Sequence, residues 1–167
     1  IWEHSALFGQ YGIIIGIAGP SEEEPIIPFA TGKAPAGASK ILVLLTPSID
    51  GKYSMMILDE RKFKGGSVCF INQCGQAVGV TLDKKKFLVK NKSTRLHQPT
   101  RHVKPRNTHV SFHVRSTNKK GKVEVKLLAE SIWNLSPKRG EICVFYRDRL
   151  RKRASFKVFA SFFKSAT

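Results

Sequence analysis

Acidic side chains are scarce in this sequence: 12 Asp and Glu stand against 29 Lys and Arg, for a formal charge of +17 over 167 residues. So few carboxylates cannot neutralise the cations from within, which makes an anionic neighbour the expected complement. No catalytic, metal or nucleotide motif accompanies the charge. Asp59-Glu60 could suggest paired carboxylates, but neighbouring strand residues point to opposite faces, and the pair reads better as the start of a turn. The imbalance is uneven along the chain. Residues 1–50 hold Lys33 and Lys40 against Glu3, Glu22, Glu23, Glu24 and Asp50, a net of −3, whereas residues 51–167 hold 27 bases against 7 acids, a net of +20.

Cysteine is also sparse. Cys69, Cys74 and Cys143 are an odd count, which argues against a disulfide framework, and a chain of this length can bury a core without covalent staples. No apolar run is long enough to span a bilayer, which takes about 20 residues. The longest candidate, Leu7 to Ala18, is broken by Gly9, Gln10, Gly12 and Gly16 and has no basic residue before it, so it reads as strand rather than signal peptide. Ile1 in place of an initiator methionine is expected of a processed chain or a fragment. No segment shows the 3.6-residue apolar stripe of an amphipathic helix. The apolar share of 41% and charged share of 25% exclude global disorder.

What is present reads as strand and turn. Ile13-Ile14-Ile15 opens a β-branched run that stops at Gly19-Pro20, followed by an acidic turn through Glu22-Glu23-Glu24 and a second segment, Ile26 to Ala30. Ile41 to Leu45 is continuously apolar, the pattern of a strand covered on both faces, and is expected at the centre of the core. Asp50-Gly51 is a tight-turn dipeptide, which predicts a hairpin over 40–58. Residues 67–72, 78–82 and 87–89 read as three short strands of a meander, and 90–108, with Pro99 and Pro105, as a long surface loop. Alternation of Val110, Phe112 and Val114, then of Val123, Val125 and Leu127, predicts two further strands, and 142–146 and 155–163 predict two more. The expected fold is all-β: an antiparallel β-sandwich, or else a partly open barrel, as a single domain over 1–167 with a possible N-terminal extension at 1–25.

A family resemblance is carried by Ile41 to Pro47, Leu58-Asp59, Phe63, Gly65-Gly66-Ser67, Phe70-Ile71-Asn72, Gly79-Val80 and Asp83 to Phe87. The later stretch Trp133-Asn134, Pro137, Arg139 and Cys143 to Asp148 belongs with them. In this order of packing and turn positions, over 26–163, the chain resembles an uncharacterised group of small exported bacterial proteins. The resemblance implies an all-β module of an exported or cell-surface protein, the alternative being a cytoplasmic one, and brings no catalytic residue with it. The stretches 90–106 and 149–153 are more basic than that group leads one to expect.

Two basic clusters are the candidate sites. Lys84, Lys85, Lys86, Lys90, Lys92, Arg95, Arg101, Lys104 and Arg106 fall in 23 residues without an acid, with His97 and His102 among them. Such a block repels itself and serves as a surface for a polyanion or an acidic protein face. Arg147, Arg149, Arg151, Lys152 and Arg153 form the second, opposed only by Asp148 and flanked by Tyr146 and Phe156. Those aromatics either stack on the bases of a single strand or end two core strands joined by a charged hairpin, and the latter is favoured. Glu22, Glu23 and Glu24 are the complementary acidic surface, through which copies of the chain could join head to tail. Sheet edges offer another route to assembly by strand addition.

Other constellations carry less. His109 and His113 share a strand face but stand about 13 Å apart, too far to ligate one ion unless a bulge intervenes. Cys74 lacks a base or oxyanion hole in its neighbourhood of the sequence. Gly9, Gly12, Gly16 and Gly19 precede no helix that could cradle a phosphate. Trp133 reads as a core aromatic. The expectation is a non-enzymatic structural or binding module, with no metal and no cofactor, that engages an acidic partner, neighbouring copies included. The alternative is a protein bound to the RNA or DNA backbone.

Overall fold

The computed structural model describes residues 4–9, 12–22, 26–38, 40–47, 53–63, 65–98, 104–117, 121–148 and 150–162. The chain is all-β, and among the described residues its one helical element is a 3-10 turn, Glu60–Lys62. By its internal contacts the chain divides into two compact units, Ile1–Lys62 and Phe63–Thr167, where the sequence suggested one domain over 1–167 and an extension at 1–25.

In the first unit, β1 (His4–Gly9), β2 (Gly12–Ala18) and β3 (Ile26–Gly32) form an antiparallel sheet. β4 (Ile41–Pro47) and β5 (Tyr53–Asp59) pair antiparallel from Ile41↔Asp59 to Pro47↔Tyr53. That is the hairpin expected over 40–58; the Asp50-Gly51 turn itself lies outside the described residues. β3 packs on β5: the Phe29 and Tyr53 rings lie 5.3 Å apart, and a side chain at Gly32 would run into Met55 and Ile57. Asp59, buried at the end of β5, starts the 3-10 turn. Arg61 donates to it from its backbone N–H (3.1 Å), Nε (3.0 Å) and Nη2 (2.9 Å), and reaches the Gly37 carbonyl as well. Those bonds, the side-chain ones foremost, hold the Asp59 carboxyl below its ordinary value against the opposing effect of burial.

The second unit is a β-sandwich of two four-stranded sheets. One has the order β11-β10-β7-β8, formed by Val123–Leu135, Arg106–Thr117, Val78–Leu82 and Lys85–Val89. The other has the order β13-β12-β6-β9, formed by Arg153–Phe162, Arg139–Asp148, Val68–Gln73 and Ser93–His97. Neither closes into a barrel. Both sheets contribute to the core: Phe70, Cys143 and Phe145 from the second meet Val80, Val110 and Phe112 from the first. The Phe112 ring stands edge-on to Phe145 at 4.9 Å and to Phe156 at 5.0 Å, while Trp133 stacks on Phe70 at 6.5 Å. Offset and edge-to-face pairs of this kind add to what area burial alone contributes.

Three sequence expectations need correction. The centre of the core is β6, not β4: Val68 to Asn72 are all buried, while Ile41 to Leu45 are each partly exposed. A two-stranded hairpin has only two edges and cannot enclose its strands as the inner position of a four-stranded sheet does. The meander is broken, because β6 pairs with β12 and β9, whereas β7 crosses to the other sheet to pair with β8 and β10. The β6–β12 pairing is parallel, the exception in an otherwise antiparallel structure. Finally, 90–108 is not one loop: β9 occupies Ser93–His97, and β10 begins at Arg106. Two turn glycines are required by their surroundings. A Cβ at Gly65 would collide with the Pro137 backbone, and Gly75 sits at φ +88°, where a side chain is strained.

Candidate anion-binding site

Strand register places the ends of β6 and β12 side by side with the starts of β9 and β13. Asn72 lies opposite Ser93, Gln73 opposite Tyr146, and Asp148 opposite Arg153. The turn 74–77 carries the chain from this end into β7, whose first residue, Val78, pairs with Val89 at the end of β8. The turns after β6 and β8 and the β12–β13 hairpin therefore emerge at one end of the sandwich.

A buried polar residue fixes this end. Asn72 donates from Nδ2 to the Gln76 carbonyl (2.7 Å) and to the Val89 carbonyl (2.9 Å), and its Oδ1 accepts from the Cys74 N–H (3.0 Å). Asn91 then accepts from the Gly75 N–H at 3.0 Å, tying one turn to the other. The Asn72 amide is thereby hydrogen-bonded at both Nδ2 and Oδ1, as a buried amide requires.

From this frame Lys90, Lys92, Arg147, Arg151, Lys152 and Arg153 are exposed. Asp148 is the acid among them, and its carboxylate is engaged in the hairpin, accepting from the backbone N–H groups of Leu150 (2.9 Å) and Arg151 (3.0 Å). These bonds, that of Arg151 first, lower its pKa against a smaller opposing effect of burial, with the Arg151 and Arg153 charges adding. Arg147 lies close enough to Cys74 to favour its thiolate, but burial outweighs it and the thiol is pushed up. Arg149 falls outside the described residues.

The remaining expected cations lie elsewhere. Lys84 and Lys85 sit at the β7–β8 turn, at the opposite end, with Lys86 following in β8; Lys104 and Arg106 are at the start of β10. Carboxylates offset part of the charge there, while Lys84, Lys85, Lys86 and Lys104 are exposed. Arg106 pairs with Asp83, which also accepts from the His109 N–H at 2.9 Å. Arg139 pairs with buried Glu141 at 2.8 Å, and His109 with Glu130. Arg95, in mid-strand, lies over the Phe87 ring at 4.6 Å. Arg101 is outside the described residues. Thus the run that is continuous in sequence divides between two ends, and part of it joins the second basic cluster instead. Of the acidic turn, Glu22 is exposed, and Glu23 and Glu24 lie outside the described residues.

Sequence reasoning missed Asn72 and Asn91 as organisers of the site. An Asn inside a strand is unusual enough to have marked Asn72. It also left out Arg115, which lies exposed beyond the last β10–β7 pair at this same end.

The other constellations resolve as follows. A register shift does fall between Phe112 and His113, yet among the described residues no three of His, Cys, Asp and Glu gather as a metal site would need. All three cysteines are buried and free. Burial pushes the Cys69 thiol up to about 12 and raises Cys143 as well, so both rest as thiols, the unreactive form. Among the described residues no helix is long and apolar enough to cross a membrane.

No protein-family model matches the chain. Nor does any curated protein match it.

Proposed function

We propose that this protein is a non-enzymatic binding module that holds an acidic protein surface at the Lys90–Lys92 and Arg147–Arg153 end of its second unit. The observation that carries the reading is the convergence at one end of two turns that display six exposed cations, with Asp148 the described acid among them, held by two backbone donors and 4.0 Å from Arg151. At the other end Arg106 and Arg139 are paired with Asp83 and Glu141, and the exposed Lys84, Lys85, Lys86, Lys104 and Lys138 are spread over separate turns and strand starts. Exposed charge of one sign on a rigid turn cluster raises the local concentration of the opposite charge and steers its approach. The exposed Glu22 of another copy is one acidic surface of the right sign, and the resemblance to exported proteins supports a role outside the cytoplasm.

Nucleic acid is the second reading. Of the two aromatics that could stack bases, Phe156 is turned into the core against Phe112 and Tyr146 is half-buried, which favours contact mainly through phosphates.

The test is binding of the intact chain to a polyglutamate peptide, a heparin fragment and single-stranded RNA across a salt series. The variant R147Q/R151Q/R153Q is expected to lose roughly tenfold in affinity for the peptide, at about 0.5 kcal/mol per exposed charge. K84Q/K85Q/R106Q should lose much less. Equal losses from the two ends would overturn the assignment of the site. Preference for RNA, with a salt slope that becomes shallower by roughly 0.7 for each phosphate contact removed, would move the function to the second reading.

A further inference from the structure

The second unit has four edge strands: β11 and β8 in one sheet, β13 and β9 in the other. An unpaired edge invites another strand, and proteins discourage this with charge of one sign. β8 carries Lys85 and Lys86, β9 carries Arg95, and β13 carries Arg153 and Lys157; none of the three contains an acid. Two copies of any of them would bring like charges together. β11 is different. It is the longest strand, at 13 residues, and holds both signs, Glu124, Lys126 and Glu130. It also leaves a row of apolar side chains in water: Val123 is 60% exposed, Val125 68%, Leu127 55% and Ile132 68%. Burial on the core does not explain that row.

The sequence Val123-Glu124-Val125-Lys126-Leu127 is complementary to itself when reversed about Val125. Set antiparallel against a second copy in that register, Val125 faces Val125, Val123 faces Leu127, and Glu124 faces Lys126 in both directions. Alternate residues share a face, so one face of the junction would be wholly apolar and the other would carry two opposite-charge pairs. Directly opposed pairs of both kinds stabilise a sheet. We propose that β11 is a homodimerisation edge: two copies join through it about a two-fold axis at Val125, making one continuous sheet of eight strands. The contact is isologous and closes on itself. Val123 and Val125 pair with Thr117 and Arg115 at the anion-binding end, but the contact uses none of the six cations of that site, and the two readings are tested by different variants.

The register can be read directly. Val125→Cys sets a thiol opposite its own copy, at the Cα separation of about 4.5–5.5 Å that directly opposed residues have, within the range a disulfide spans. Ile132→Cys, equally exposed, would stand far from its counterpart. The native cysteines are buried and do not compete. With oxidised glutathione accepting the two electrons and two protons of bond formation, V125C is expected to form a covalent dimer much faster than I132C. By sedimentation, Glu124→Lys or Lys126→Glu alone should weaken the native dimer roughly tenfold, since each opposes two like-charge pairs. The double variant E124K/K126E should restore it, which a merely misfolded single variant would not allow. A chain that stays monomeric at high concentration, equal cross-linking at the two positions, or a double variant no better than the singles would each overturn the proposal.

Discussion

Asn72 shows how one buried side chain can organise a surface it never reaches. Its amide closes the turn after β6 and holds it to the end of β8. Asn72→Ala would remove three hydrogen bonds, to the Gln76 and Val89 carbonyls and from the Cys74 N–H, and the expected cost is about 2–4 kcal/mol in urea unfolding. Asp59 is the corresponding fixture of the first unit, with a different signature. Arg61 depresses its pKa below the ordinary 3.8. The stabilisation is therefore complete above that value and is lost as pH falls through the lower, folded one. Unfolding midpoints of the wild type and Asp59→Asn should differ most near neutral pH and converge in acid below about pH 3.8; a gap that stays constant to pH 2 would show that the carboxylate is not the source. Of these two residues the sequence disclosed half. Asp59 was read as the start of a turn, but its salt bridge depends on where Arg61 swings, and Asn72 entered only as part of a resemblance.

At the scale of elements, apolar content alone did not locate the centre of the core. The run Ile41 to Leu45 is richer in aliphatic residues than Val68 to Asn72, yet it lies in a two-stranded hairpin, while the run containing a Cys and an Asn is flanked by strands on both sides. Burial depends on how many strands flank a segment, and that number is a property of pairing. The same reason hid β9. Ser93-Thr94-Arg95-Leu96-His97 has little apolar content because it is an edge, and its pairing with β6 is set by a partner more than 20 residues away. β10 and β11, by contrast, were legible from alternation, though the structure extends both. Phe112, in contact with Phe70, Trp133, Phe145 and Phe156, is where the two sheets meet. Phe112→Ala should cost about 3–5 kcal/mol, seen as a lower unfolding midpoint; a loss under 1 kcal/mol would mean that the sheets do not depend on this contact.

For the whole molecule, the burial of all three cysteines predicts a chain whose thiols are silent while it is folded. Reaction with a maleimide at pH 7 should be slow for Cys69, Cys74 and Cys143 and become fast in denaturant, as judged by intact mass. Prompt labelling of three sites under native conditions would contradict the core as described. The distribution of charge also belongs to this scale. A net of +20 over residues 51–167 is plain from composition, but composition has no ends. Carboxylates such as Asp83 and Glu141 fall beside arginines at one pole and offset part of the excess there, whereas at the other Asp148 is the described acid beside six exposed cations.

The amino-acid sequence by itself determined that this chain is built of strands, that its second half is cationic and that its cysteines form no framework, because period-two alternation, turn chemistry and composition are local. Only the tertiary structure decided that β6 is central, that β7 crosses to the other sheet, and that Lys90 and Lys92 stand with Arg147, Arg151, Lys152 and Arg153 while Lys84 and Arg106 do not. Those facts follow from hydrogen-bonded pairing between distant segments. Strand pairing is chosen by the joint burial of both sheets, and no short stretch of the sequence contains it.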